Sequence, residues 1–226
     1  MYPSHVTVIR APNQISRTLL ATEFICIFFV LPILFTINLR GTHPFPFIVA
    51  SGLFATFYLL NDKGFSRTSF GDLFSLRDHG KRIIITFLSL ALLLTLLTVV
   101  LVKPEYLFNY PRHKTTLWLT IMIFYPLLAV YPQELFYRAF LFRRYRSLFP
   151  GEQSMVLVSA LTFGFAHIIY GNIPAVLLTL IGGYLFGLTY KRSKSILVVS
   201  LEHALYGCLL YTIGLGQFIH TSVTHM

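Results

Sequence analysis

Apolar and polar residues follow one another along the chain in long blocks. Seven apolar blocks predict transmembrane helices, although the second is short for a bilayer crossing, which takes about 20 residues. Residues 61–82 are predicted to form a polar loop, with a surface helix in it as an open alternative. The pattern therefore predicts an all-α fold, a polytopic membrane bundle of about seven transmembrane helices. Their predicted limits are 19–39, 45–60, 83–102, 115–141, 153–170, 173–190 and 196–215.

Composition supports a membrane protein. The 226 residues are 55% hydrophobic and only 12% charged, with a mean hydropathy of +0.70, which leaves too little polar surface for a soluble globule. We therefore expect an integral protein of the plasma (inner) membrane, in contact with the lipid bilayer. The net charge of +10 does not indicate nucleic acid, because the basic residues lie in short clusters between spans. Cys26 and Cys208 both lie inside spans and form no zinc-binding or disulfide pattern.

The basic clusters also orient the chain, because positive loops face the cytoplasm. The N-terminus is therefore expected in the cytoplasm and the C-terminus outside. Residues 1–18 lack the features of a signal peptide, so the first span is expected to remain as an anchor, with Glu23 extending toward the membrane surface. If loops alternate between sides, one side collects Arg10, Arg17, Lys63, Arg67, Arg77, Lys81, Arg82, Arg143, Arg144, Arg146, Lys191, Arg192 and Lys194, and the other only Arg40, Lys103, Arg112 and Lys114.

The fourth predicted span contains the sequence Tyr-Pro-Gln-Glu-Leu-Phe-Tyr-Arg at residues 131–138. Glu134 and Arg138 are one helical turn apart, so they can pair where neither is tolerated alone. A functional site and a structural ion pair are both open at this point. Pro126 and Pro132 each remove an amide donor from the helix. The freed carbonyls favour either a hydrated cavity near Glu134 or a plain kink.

Two histidines lie inside later spans. His167 ends the sequence Phe-Gly-Phe-Ala-His in the fifth span, and His203 follows Glu202 in the seventh. Counted along the helices, these histidines and Glu134 fall within the hydrocarbon layer, which predicts one shared site toward its cytoplasmic half. Gly183 and Gly187 in the sixth span instead predict a close helix contact.

Together these motifs resemble the CAAX protease and bacteriocin-processing family (CPBP, Abi/CAAX prenyl endopeptidase-like) of intramembrane proteases. The residues that resemble its motifs are Gln-Glu-x-x-x-Arg at 133–138, Phe-x-x-x-His at 163–167, and His203. The resemblance covers about residues 115–210. It divides a single membrane domain into N-terminal spans with a cytoplasmic loop, residues 1–114, and a protease core, residues 115–216.

The resemblance implies an endopeptidase acting on a membrane-associated or lipidated protein or peptide. In such a site a glutamate activates water, while histidines position it and stabilise the oxyanion. The expected catalytic residues are Glu134, His167 and His203, with Glu202 as a further candidate. Expected supporting residues are Arg138, Gln133 and Phe163. The same glutamate and histidines would suit a divalent metal such as zinc, so catalysis with and without metal is open.

Two positions depart from the family pattern. Gln133 stands where the first of two glutamates is usual, and Gly207 where the last motif usually has Asn or Asp. A glutamine cannot act as a general base. Three alternatives stay open: Glu134 is the base, Glu202 replaces the missing carboxylate, or the fold is retained without turnover. In the last case the protein is a non-catalytic membrane binding, immunity or transport protein.

Overall fold

The computed structural model describes residues 16–38, 42–101 and 106–219. In this part of the chain the structure is helical, without strands. Six helices are long and apolar enough to cross a membrane, and α2 is a shorter apolar helix of 17 residues. The predicted all-α polytopic bundle is confirmed. The helices are α1 Arg17–Asn38, α2 Phe45–Asn61, α3 Phe74–Leu101, α4 Asn109–His113, α5 Thr115–Arg144, α6 Glu152–Tyr170, α7 Ile173–Ser193 and α8 Ile196–Ile213.

Helix α3 begins earlier than the hydropathy pattern predicts. The prediction of a loop over residues 61–82 is wrong for 74–82, which form the first turns of α3 rather than a loop or a separate surface helix. Asp72 explains the early start, because its side chain accepts hydrogen bonds from the amides of Phe74 and Ser75 at 3.0 and 3.3 Å. Such a contact satisfies amides that have no partner inside the helix.

Ion pairs join the polar loops at one end of the bundle, which we call the charged end: the start of α1, residues 62–73, the end of α5, the start of α6 and the end of α7. Arg143 donates two hydrogen bonds to Asp62, and these lower the pKa of the Asp62 carboxyl. Lys194 pairs with Glu152 at 2.7 Å. The loops that the sequence predicts on one side therefore meet. Arg10, Arg40 and Lys103, which entered that prediction, lie outside the described residues.

Glu23 also lies at the charged end, and it has partners there. Its carboxylate accepts from Nε of Arg144 at 2.9 Å and from the Tyr145 hydroxyl at 2.9 Å, and a second guanidinium nitrogen contacts its other oxygen. The sequence predicts that this side chain extends toward the membrane surface, and its partners lie at that end of the bundle. There it forms an ion pair that joins the first span to the end of α5.

Aromatic side chains form much of the interior. Phe28 of α1 lies 5.2 Å, ring centre to ring centre, from Phe136 of α5, and Phe136 stacks on Phe140. The core continues through Phe163 of α6 and Phe186 of α7. The outer face of α3 is apolar and exposed, with Leu92 at 64% and Val100 at 77%, as expected for a surface in contact with lipid.

Helix α7 packs closely on α6 through its glycines. A Cβ atom at Gly183 would lie 3.1 Å from Cα of Ala160, and one at Gly187 would lie 3.2 Å from a methyl group of Val156. The predicted contact between helices at Gly183 and Gly187 is thereby confirmed. It fixes Phe186 of α7 beside Phe163 of α6.

Candidate active site

Helix α5 brings the first site residues into the bundle without a break. Its prolines lie at or just before wide π-helical turns, which cover Pro126–Val130 and Leu135–Phe140, while Tyr131–Glu134 forms a regular turn between them. Wide turns accommodate a backbone that lacks an amide donor, and they are frequent at functional sites. On the outside of this segment, Gly52 of α2 packs directly against Pro132.

Glu134 contacts a histidine and an arginine at once. Its Oε1 accepts from Nδ1 of His203 at 2.7 Å, and its Oε2 lies 3.1 Å from Nε of Arg138. The arginine contact is an ion pair rather than an aligned hydrogen bond. Glu134 and Arg138 are fully buried and His203 is 6% exposed. Because an ionised carboxylate only accepts, the neutral form of His203 carries its hydrogen on Nδ1 and its lone pair on Nε2.

Arg138 is held from its other side by residues that the sequence did not single out. Its Nη1 donates to Ser159 Oγ at 2.9 Å, and Ser159 donates in turn to the carbonyl of Tyr137 at 2.7 Å. Its guanidinium carbon lies 4.9 Å from the ring centre of Phe163. These contacts help to offset the cost of burying the cation. A signal for Ser159 exists, since it precedes Phe163 by one turn and His167 by two on the same helix face.

His167 faces the same ring from the next turn of α6. Its Nδ1 lies 2.7 Å from the carbonyl oxygen of Phe163, and because a carbonyl only accepts, Nδ1 carries the hydrogen and Nε2 is the acceptor of the neutral ring. The Phe163 ring centre is 4.7 Å from that of His167 and 5.5 Å from that of His203. Glu134, Arg138, His167 and His203 thus gather around Phe163.

A cavity of about 610 Å³ lies beside this cluster and extends to Pro44 and Phe45, away from the charged end. Its lining is mostly apolar, but the two site histidines and Gln133 also line it. Glu134 accepts a hydrogen bond from His203 and is not among the residues that line the cavity. Gln133, at the position where the family usually has a glutamate, therefore lines the cavity, whereas Glu134 does not.

Glu202 belongs to a different cluster. Its buried carboxyl accepts a hydrogen bond from Thr189 of α7, whose hydroxyl accepts from Arg82 of α3 at 2.9 Å. The other carboxyl oxygen has no hydrogen-bond partner, and Glu202 is not among the residues that line the cavity. Its role as a replacement base stays a prediction, and the geometry favours it less than the pair of Glu134 and His203.

The predicted zinc ligands do not fit a metal ion as they are arranged. Across residues 16–38, 42–101 and 106–219, no three His, Cys, Asp or Glu side chains gather closely enough to hold one. Both oxygens of Glu134 contact nitrogen atoms of Arg138 and His203, and Nδ1 of His203 points at Glu134 rather than outward.

Tyr125 is a second site residue that the sequence did not single out. It lines the cavity from α5, and its hydroxyl lies 3.2 Å from Nε2 of His203. The ring packs against Gly207 of α8, where any Cβ atom would overlap the phenol. The glycine was the available signal, because a missing side chain one turn after His203 leaves room for a group from another helix.

A buried carboxylate, a guanidinium and two imidazoles beside a cavity inside an apolar bundle define an integral membrane protein with an intramembrane polar site. Residues 114–209 match the family model of the type II CAAX prenyl endopeptidase Rce1-like proteins. The predicted resemblance to the CAAX protease and bacteriocin-processing family is thereby confirmed over this part of the chain, and that family is one of membrane proteases. No curated protein and no solved structure matches the chain.

Proposed function

We propose that the protein is an intramembrane endopeptidase that hydrolyses a peptide bond of a membrane-associated or lipidated protein or peptide. The observation that carries the proposal is the hydrogen bond between Glu134 and Nδ1 of His203, because it leaves Nε2 of a cavity-lining histidine as a proton acceptor. The family match supports the class of reaction.

In this proposal His203 is the general base and Glu134 orients it. Nε2 of His203 removes a proton from a water molecule as the water oxygen attacks the scissile carbonyl carbon. Glu134 stabilises the imidazolium that forms, in the way a buried carboxylate supports a catalytic histidine. Collapse of the tetrahedral intermediate breaks the C–N bond, and the proton on Nε2 passes to the leaving amine. His167, whose Nε2 is a second acceptor, positions the water.

Arg138 supports this chemistry without touching the substrate. It is fully buried behind Glu134, and its positive charge balances the carboxylate in an environment without water. Its contact with Ser159 fixes the guanidinium, and the ion pair in turn fixes the carboxylate. The predicted supporting role of Arg138 therefore becomes that of a positioning residue.

The cavity supports a substrate with an apolar part. Leu93, Leu97 and Ile121 line it together with other apolar side chains. Such a surface stabilises a hydrophobic peptide or a lipid group by removing it from water. An S-farnesylated peptide with a C-terminal CAAX sequence is the first probe, with the same peptide unmodified beside it.

The test is cleavage of these two peptides by the protein in liposomes, followed by mass spectrometry. His203→Gln and Glu134→Gln are each expected to lose about 10²- to 10⁴-fold in rate, the usual contribution of general base catalysis. Glu152→Gln is the matched control, because it removes a carboxylate that pairs with Lys194 at the charged end. Comparative proteomics of membranes with the wild-type protein and with Glu134→Gln would then identify natural substrates.

Three outcomes contradict parts of the proposal. Full activity in both His203→Gln and Glu134→Gln would exclude this pair as the base. Loss of activity in Glu202→Gln alone would transfer the role to Glu202. Cleavage only by a Gln133→Glu variant would mean that the natural protein lacks turnover and acts as a non-catalytic membrane protein.

A further inference from the structure

Tyr125 and Gly207 contact each other beside His203, and neither has a role in the proposed reaction. The Tyr125 hydroxyl lies 3.2 Å from Nε2 of His203, the atom that faces the attacking water in the proposal above. With Nδ1 of His203 protonated, Nε2 accepts, so in the resting site the tyrosine hydroxyl donates to it. A hydrogen-bond donor is thus held beside the atom where the reaction begins.

Gly207 makes this position possible. It lies one helical turn after His203 on α8, and a Cβ atom there would overlap the hydroxyl oxygen and two ring carbons of Tyr125. The phenol therefore occupies the space that a side chain at position 207 would fill. Tyr211 of α8 packs edge-on against the same ring, with 5.8 Å between ring centres, and helps to fix its direction.

Two other donors near the cluster have different partners. Arg138 is fully buried behind Glu134 and pairs with that carboxylate and with Ser159. The Nδ1 hydrogen of His167 points at the Phe163 carbonyl. A hydroxyl that lines the cavity and contacts Nε2 of His203 is therefore well placed to meet the charge that develops on the scissile carbonyl oxygen.

We infer that Tyr125 is a catalytic residue whose hydroxyl donates a hydrogen bond to the oxyanion of the tetrahedral intermediate. The inference rests on the proposed hydrolysis. Nε2 of His203 has one lone pair, so the Tyr125 O–H turns from Nε2 to the scissile carbonyl oxygen as substrate and water enter the site. Nε2 then takes the proton of the water, while the Tyr125 hydroxyl keeps its own proton and donates to the oxyanion. After the C–N bond breaks and Nε2 gives its proton to the amine, Tyr125 donates to Nε2 again.

Tyr125→Phe is the direct test, because it keeps the ring and removes only the hydroxyl. Loss of one oxyanion donor costs about 10²- to 10³-fold in kcat, so we expect a fall of that size with KM nearly unchanged. Tyr190→Phe is the matched control, since Tyr190 is a buried tyrosine that packs on Phe142 and does not line the cavity. Wild-type kcat in Tyr125→Phe would overturn the inference.

A binding measurement separates the catalytic role from a structural one. We compare a phosphinate analogue of the farnesylated CAAX peptide, which mimics the tetrahedral oxyanion, with an N-methyl amide analogue that resembles the substrate. Tyr125→Phe should weaken binding of the phosphinate at least tenfold and leave binding of the amide unchanged. Equal weakening of both analogues would mean that Tyr125 only shapes the cavity, and would overturn the inference.

A swap of the two positions gives a second, independent test. Tyr125→Ala should lose activity, and Gly207→Asn alone should also lose it because the new side chain overlaps the phenol. The double variant Tyr125→Ala/Gly207→Asn should regain at least tenfold in kcat over Tyr125→Ala, since the amide then has room to donate. No gain would count against the inference. If the wild-type protein cleaves neither peptide, the proposed function itself fails, which the wild-type control reveals separately.

Discussion

Glu134 is a fully buried carboxylate whose two oxygens face two different positive or proton-donating groups. Its contact with Arg138 comes from the same helix, one turn away, and its contact with His203 comes from α8. Removing one partner of a buried ion pair leaves an uncompensated charge, which destabilises a protein by about 3–5 kcal/mol. Loss of activity in a single variant of Glu134 therefore combines a loss of stability with a loss of catalysis.

A double variant separates stability from catalysis at this pair. Arg138→Met and Glu134→Gln should each lower the unfolding temperature in detergent, because each leaves one buried charge alone. Glu134→Gln/Arg138→Met should recover most of that loss, since no charge is stranded, and yet remain as inactive as Glu134→Gln. Thermal unfolding and peptide cleavage, measured on the same samples, check both parts. Recovery of cleavage in the double variant would show that Glu134 has only a structural role.

The sequence predicts the role of a residue when its partner lies a few positions away in the chain, or when burying its polar side chain in the membrane costs free energy. The spacing of Glu134 and Arg138 predicts their pairing, and a histidine inside an apolar span indicates a site by itself. Ser159 and Tyr125 were missed because their contacts join residues 21 and 78 positions apart in the chain, respectively. Neither residue type is unusual in a membrane helix. The signals that exist, the helix face that Ser159 shares with Phe163 and the missing side chain at Gly207, do not identify the partner residue.

Helix α5 shows how an element differs from its ideal form. The sequence predicts that Pro126 and Pro132 interrupt the helix. In the structure the helix continues, with Pro126 at the start of one wide turn and Pro132 in the regular turn that separates it from the second. Each extra residue in a turn rotates the following side chains by about 100° relative to a regular helix. A regular helical wheel therefore misplaces residues across these turns, and Gln133 was predicted as a supporting residue through the family resemblance rather than from helix geometry.

The contact between α2 and α5 predicts a strong effect of one methyl group. In Gly52→Ala the new Cβ atom would lie 2.5 Å from Cβ of Pro132, so the helices must separate beside Glu134. We expect a loss of about 1–3 kcal/mol in the free energy of unfolding, the usual result of overpacking, with a parallel fall in cleavage. Thermal unfolding and the peptide assay measure the two effects.

Gly80→Ala in α3 is the control for this change. A Cβ atom at Gly80 meets nothing nearer than a Leu76 methyl group at 3.9 Å. Alanine also favours a helix over glycine by about 0.5–1 kcal/mol, so this variant should be neutral or slightly more stable. If Gly52→Ala behaved in the same way, the approach of α2 to Pro132 would not be what positions Glu134.

At the scale of the whole molecule, charge is concentrated at one end. The polar loops of that end contact one another through the pairs of Asp62 with Arg143 and Glu152 with Lys194, whereas Arg112 and Lys114 lie at the opposite end. Hydropathy alone predicted the spans well, because each must be apolar regardless of its neighbours. Which helices touch was not predictable, apart from α6 and α7, because lipid-facing and core-facing side chains are both apolar.

The charged end is predicted to face the cytoplasm. In a cysteine-free background, Cys26→Ser/Cys208→Ser, single cysteines are introduced as Thr68→Cys and His113→Cys, both at exposed positions. A membrane-impermeant maleimide added to intact cells should label His113→Cys at once and Thr68→Cys only after permeabilisation. The opposite result would reverse the topology. The two termini lie outside the described residues, so these two positions test the orientation in the described part of the chain.

The ion pair between Glu23 and Arg144 bears on whether residues 114–209 can fold without the rest of the chain. Residues 114–209 match the family, yet Arg144 inside that region takes its carboxylate from α1, outside it. Phe24 of α1 also packs on Tyr145, with 5.1 Å between ring centres. The matched region is therefore not a portable module. Helix α1 covers the surface around Arg144 and Tyr145. A chain shortened to residues 114–209 would need α1 added as a separate peptide to bury that surface.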